Sequence, residues 1–286
     1  MSFGNREWFY TFRELDSLAD SKQLDKVSDR ILKQYSALTK NWSKQANSEW
    51  TCRIYFATNM ILNATVLLKN AEYAEEKNLR IVRPYIEYYA VLSLLRCVVY
   101  TLPSQSWEQG RLIEISHSKA INLASDWLSF FNKEEAQELK GLCKLLKAQR
   151  ELISYRAPAS GDSNLDNNYD VVRICTILAE LAHFNSVLLE ASVNKNANKD
   201  DFVVYREDIE KIVNVNIEGV EFYDHNDAVR LDYVRRKSPY PSNIRCKMTE
   251  GQTEDYIGAW DHDEDDDSDL YHGGSPCDWQ AIFDIP

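Results

Sequence analysis

Glycine and proline are scarce in this chain, at 9 and 7 of 286 residues. A loop-rich all-β fold needs both for its many turns, so that class is disfavoured. Paired cysteines are missing as well. The six (Cys52, Cys97, Cys143, Cys175, Cys246 and Cys277) are widely separated, without a CxxC pair. With the five histidines they make no zinc spacing. Neither a metal nor another cofactor is expected. No run of about 18 apolar residues occurs, and the opening MSFGNREWFY lacks the apolar core of a signal peptide. These absences point to a cytoplasmic protein with reduced thiols and no membrane contact. Positive charge is also short. Lys and Arg number 33 against 45 Asp and Glu, a formal net charge of -12. That field opposes generic nucleic-acid binding, which needs cations to neutralise phosphates.

What the chain does have is helical periodicity. Trp8, Phe12, Leu15 and Ala19 recur at helical spacing, which predicts a short amphipathic helix over 7–18. A second stripe runs Leu24, Val27, Ile31, Tyr35, Leu38, Trp42. A third runs Trp50, Ile54, Ala57, Ile61, Ala64, Leu68, with Ser48 as its candidate cap. Pro84 suits a first helical turn, and Ile86, Tyr89, Ala90, Ser93, Leu94, Cys97 and Val98 follow in register to Pro103. Ser116 or Ser118 opens a fifth helix carrying Ala120, Leu123, Ala124, Trp127, Leu128 and Phe131. Asn132 with Glu135 reads as a capping box for a sixth. Asp170 starts a seventh, running to about 193. Beyond 200 the pattern changes. The stretches 202–206, 213–222, 229–235 and 244–248 are rich in β-branched residues and read as strands. The expected fold is mainly α. It comprises N-terminal helices (1–47), a helical bundle (48–195), a small β-rich segment (200–249) and an acidic tail (250–286).

Arg150 lies on the apolar face of its helix, in line with Leu139, Cys143 and Leu146. A guanidinium there must find an acceptor, a partner subunit or a phosphate. Tyr88-Tyr89-Ala90, then Ser93, Leu95 and Arg96, then Ser116-His117-Ser118, then Arg150-x4-Tyr155 together resemble the HEPN superfamily over roughly residues 48–193. The resemblance implies a bundle of four or five helices. Many HEPN proteins are metal-independent ribonucleases whose Arg and His, spaced R-x4-6-H, meet across a dimer and use the ribose 2′-OH. Here Arg150 matches the Arg and Tyr155 stands at the His position. A phenol with a pKa of about 10 is a poor general base at neutrality. Non-catalytic relatives serve as dimerisation and ligand-binding modules, often in prokaryotic toxin–antitoxin and antiviral systems. Arg111 and His117 repeat the Arg–His spacing before the fifth helix, where Ser118 capping and a local His117 bond are the plainer reading. His183 lies off its stripe and reads as a surface or partly buried structural histidine.

Asp261, Asp263, Asp265, Asp267 and Asp269 alternate in the tail, but Asp266 and His272 stand where a calcium loop needs Gly and Glu. Trp260, Trp279 and Phe283 punctuate the acid, so the tail reads as a partner-docking segment. Arg230, Arg235, Arg236, Lys237, Arg245 and Lys247 make the segment before it locally basic and a candidate nucleic-acid surface that the tail could cover. The leading expectation is a non-catalytic or regulatory HEPN-like protein of a defence or toxin–antitoxin system. It would act as a homodimer or with an operon-encoded partner, with RNA as a further candidate partner. The alternatives are a metal-independent endoribonuclease using Arg150, Tyr155, Arg111 and His117, and an acidic inhibitor or nucleic-acid mimic acting through its tail.

Overall fold

Short polar side chains set where the helices begin. Asp20, Ser43, Ser116, Asn132, Asp170 and Asp224 each sit in extended backbone and accept a hydrogen bond from a first-turn N–H. In the computed structural model, which describes residues 2–3, 6–7, 10–161 and 169–260, the chain is mainly helical. The order is α1 (Arg13–Ser17), α2 (Ser21–Thr39), α3 (Lys44–Glu76), α4 (Arg83–Thr101), α5 (His117–Leu128), α6 (Lys133–Arg156) and α7 (Val171–Asn196). There follow α8 (Arg206–Val213), α9 (His225–Lys237), α10 (Ile244–Lys247) and α11 (Glu250–Gly258). Two antiparallel hairpins accompany them: β1 (Ser2–Phe3) with β2 (Arg6–Glu7), and β3 (Asn214–Ile217) with β4 (Val220–Tyr223).

Helix α4 is the centre of the bundle, with α3, α7, α5 and α6 packed around it. Its apolar side chains point inward on nearly all sides, as a helix surrounded by others requires. The C-terminal end of α4 is secured by side chains. Arg53 on α3 is fully buried and donates from Nε to the Tyr100 carbonyl (2.8 Å), from Nη1 to Gln105 (2.7 Å) and from Nη2 to Leu102 (2.8 Å). Its guanidinium lies 3.6 Å from the Trp50 ring centroid. A helix cannot bond its own last carbonyls; here a neighbouring helix does so. Beside it, Tyr35 Oη donates to the Thr101 carbonyl, Asn185 Nδ2 to Thr101 Oγ1 (3.0 Å), and Trp127 Nε1 to Asn185 Oδ1 (3.1 Å). One buried network thus ties α2, α4, α5 and α7 together.

The second to seventh stripes all became helices. The first did so only over α1, and Trp8 lies outside the described residues. Ser43, not Ser48, caps α3. Ser48 is buried five residues inside the helix, where its hydroxyl donates to Asp208 and accepts from the Tyr205 N–H (2.8 Å). Asn132 caps α6 as expected, but the Glu135 carboxylate does not close the box; it pairs with Arg173 at 2.8 Å. Cys52, Cys97, Cys143 and Cys175 are buried free thiols. Helix α7 is long and apolar enough to cross a membrane by length and composition, and 83% of its most apolar window is buried inside the protein.

The β-rich reading of 200–249 is corrected. Only 213–222 holds strands, as β3 and β4, joined through Glu218 (φ 53°) and Gly219 (φ 86°). Positive φ at both central residues is the type I′ turn that matches hairpin twist, and Gly219 takes it without a Cβ penalty. Residues 202–205 are irregular, 229–235 belong to α9, and 244–247 form α10. Leu231 and Val234, three apart, face the core while Val229 and Tyr233 face out, which is helical rather than alternating burial. Val204, Ile209, Ile212, Leu231 and Ile244 join the same core as the bundle. The acidic tail begins with a helix, α11, and 261–286 lie outside the described residues.

Candidate functional site

Helix α4 carries Tyr88 and Tyr89 side by side, one buried and one half-exposed, with rings 5.3 Å apart and nearly perpendicular. Helix α5 begins at His117, and α6 passes the same place at Lys147 and Arg150. Contacts between these helices gather four side chains. His117 Nδ1 and Tyr88 Oη are 2.8 Å apart. Arg150 Nη1 donates to Tyr89 Oη at 3.1 Å, and its guanidinium lies 4.8 Å from the Tyr88 ring centroid. The His117 ring is 5.8 Å from that of Tyr88 and 6.5 Å from that of Tyr89. The two tyrosines therefore hold the imidazole and the guanidinium in one place.

The local charge is positive although the chain is acidic. His117 is half-buried, and burial, followed by the charges of Arg96, Arg150 and Lys147, lowers its pKa below 6.5. It is therefore neutral at neutral pH. If Nδ1–H donates to the Tyr88 oxygen, Nε2 keeps its lone pair and can accept a proton. The Arg150 side chain is 19% exposed, and its nearest carboxylate contact, Glu151, is long at 3.7 Å. Arg96 Nε is buried without a hydrogen-bond partner. Guanidinium donors can hold an oxyanion while the neutral imidazole beside them takes a proton from a neighbouring hydroxyl.

The sequence-predicted residues divide sharply. Arg150 and His117 are brought together. Tyr155 is not with them and is 79% exposed. Five positions along an α-helix turn the side chain about 140° away from Arg150. Ser154, four positions on, stays in line; its hydroxyl meets Tyr85 Oη at 2.8 Å. Arg111 is exposed in a 3₁₀ turn (Glu108–Glu114), and no contact among the described residues joins it to His117. The α5 cap is Ser116, not Ser118, and His117 bonds a different helix rather than its own start. His183 is fully buried beside Tyr10 and Phe12, and burial pushes its imidazole down to about 3. The linear pattern gives Lys147 no part in the site, and it names Arg96 only within the resemblance. Arg96 lies two turns after Tyr89, and that spacing was the available signal.

Most of the basic residues of 230–247 have partners within the fold. Arg230 pairs with Asp255, and Arg235 and Arg236 both bind Asp232, at 2.7 and 2.9 Å. Arg245 lies 5.7 Å from the Tyr10 ring centroid. Lys247 is buried and donates to the carbonyls of Ser238 (3.2 Å) and Tyr240 (3.1 Å), with burial pulling its pKa down to about 8. Lys237 is exposed in the last turn of α9. Trp260 is exposed at the end of the described chain; Asp263, Asp265, Trp279 and Phe283 lie outside it. No family model matches this chain, and neither the curated proteins nor the solved structures contain a match to it.

Proposed function

We propose that the chain is a HEPN-like helical protein that binds RNA at the α4–α5–α6 cluster and cleaves it without a metal ion. One observation carries this reading: Arg150 and a neutral His117 meet on the Tyr88–Tyr89 pair. His117 takes the role that the linear pattern assigned to position 155. In the proposed step, His117 Nε2 accepts the proton of a ribose 2′-OH. The freed oxygen attacks phosphorus, the bond to the 5′-oxygen breaks, and a 2′,3′-cyclic phosphate forms. The leaving 5′-oxygen takes its proton from water. Arg150 and Arg96 stabilise the charge on the phosphoryl oxygens. Exposed apolar residues around the start of α4 (Leu79, Ile81 and Val82, with Tyr89) suit a homodimer contact beside the cluster. A role in prokaryotic defence or toxin–antitoxin function follows from the resemblance alone.

The second reading is a non-catalytic module that uses the same cluster for partner binding. The net charge of -12 favours it, because that field slows the approach of RNA. Labelled single-stranded RNA incubated with the protein in EDTA separates the two. Cleavage with cyclic-phosphate ends is expected. Its rate should fall on acidification only below the ordinary histidine value of 6.5, because the lowered pKa keeps His117 neutral to lower pH. RNA that stays intact at protein excess rejects the catalytic reading.

A further inference from the structure

We propose that a second site binds an organic cation carrying N–H donors on an apolar or aromatic body. It is a pocket of about 310 Å³ between α3, α9 and α11, on the scale of a small-molecule site. This inference stands apart from the RNA reading and uses none of its residues. The floor is Asp227. Its Oδ1 accepts from Tyr55 Oη (2.6 Å), and Asn59 Nδ2 lies 3.0 and 2.9 Å from its two oxygens. Gln252, also buried, donates its amide N–H groups to Thr58 Oγ1 (2.9 Å) and Asn59 Oδ1 (2.8 Å). That leaves its carbonyl oxygen as an acceptor in the pocket wall. Asp224 and Asp255 add two more carboxylates.

One cation faces these three acids. Arg230 is tied to Asp255, and its head is seated over Gly251, where a Cβ would come within 2.9 Å of Nη1. The lining is thus acceptor-rich and negative overall, which rejects phosphates and selects a donor. Phe56, Tyr256 and Trp260 supply aromatic faces, and Trp260 is 65% exposed at the rim. Aromatic faces beside carboxylates suit an ammonium or guanidinium on an apolar stem. Burial raises the Asp227 pKa even though Tyr55 and Asn59 donate to it, and a bound cation would offset that cost. Among the described residues no group of three or more His, Cys, Asp or Glu is placed to hold a metal ion, so the arrangement suits an organic cation better.

The same chemistry could come from a free amine or from a lysine or arginine side chain of a protein. Calorimetric titration of the full chain with tyramine, agmatine and an arginine-bearing peptide tests both sources, with tyrosol as the neutral counterpart of tyramine. Saturable binding of the amines, absent for tyrosol, is expected. Binding of the peptide alone would assign the site to a protein side chain. Asp227→Asn should weaken binding at least tenfold. Trp260→Ala, at an exposed position that leaves the core intact, should weaken it about threefold or more, and Arg150→Ala should not change it. No saturable binding by any cation, equal binding of tyrosol, or wild-type affinity in both pocket variants overturns the proposal.

Discussion

Arg53→Met is expected to destabilise the protein by about 3 kcal/mol. The side chain fills a similar volume, so packing changes little, but the carbonyls of Tyr100 and Gln105 lose the Arg53 donor, and that of Leu102 keeps only the Gln105 N–H at 3.3 Å. Each buried unsatisfied carbonyl costs about 1–3 kcal/mol. Relief of guanidinium desolvation recovers part of that loss. Burial lowers the Arg53 pKa to about 9, which leaves the group charged at neutral pH. Arg53→Lys should recover less than half of the stability, because an ammonium cannot span three carbonyls or stack flat on Trp50. Denaturant unfolding measures both. A midpoint unchanged in either variant would show that α4 does not depend on this clamp. The consequence reaches function, since α4 also carries Tyr88 and Tyr89.

The second large effect follows from the proposed RNA cleavage. His117→Ala should slow RNA cleavage by about 10²–10⁴, the usual contribution of a positioned general base. Arg150→Ala should slow it by about 10²–10³, as loss of a charge-stabilising donor does. Tyr155→Phe should leave the rate unchanged, because its hydroxyl is exposed on another side of α6. This comparison is discriminating: the linear pattern puts Tyr155 opposite Arg150, and the folded chain puts His117 there. Equal loss in Tyr155→Phe and His117→Ala would restore the linear assignment.

Most helices could be read from residue type and spacing. Asn132 and Asp170 cap where expected, and Pro84 opens α4. Stripes such as Leu24, Val27, Ile31 and Tyr35 are buried as their period requires. Local chemistry was enough there. It failed where the competing structure was equally local. Val229, Leu231 and Tyr233 alternate like a strand, yet Asp224 caps a helix through them and only Leu231 of the three is buried. Ser48 looked like a cap, but its partners Asp208 and Tyr205 are far along the chain. Arg53 gave no signal, because its acceptors are backbone carbonyls and any sequence supplies those. The site shows the same limit. Arg150 on an apolar stripe announced that it needed a partner. Which partner it met depended on how α5 crosses α6 and α4, and that is a property of packing.

The central claim is that Arg150 and His117 act on one bound phosphodiester. A double-mutant cycle on single-turnover RNA cleavage in EDTA tests it most directly. Groups that work as a unit are strongly non-additive. The account predicts that His117→Ala combined with Arg150→Ala is about as slow as the slower single variant. Losses that multiply across the two substitutions, or cleavage untouched by either, would contradict it.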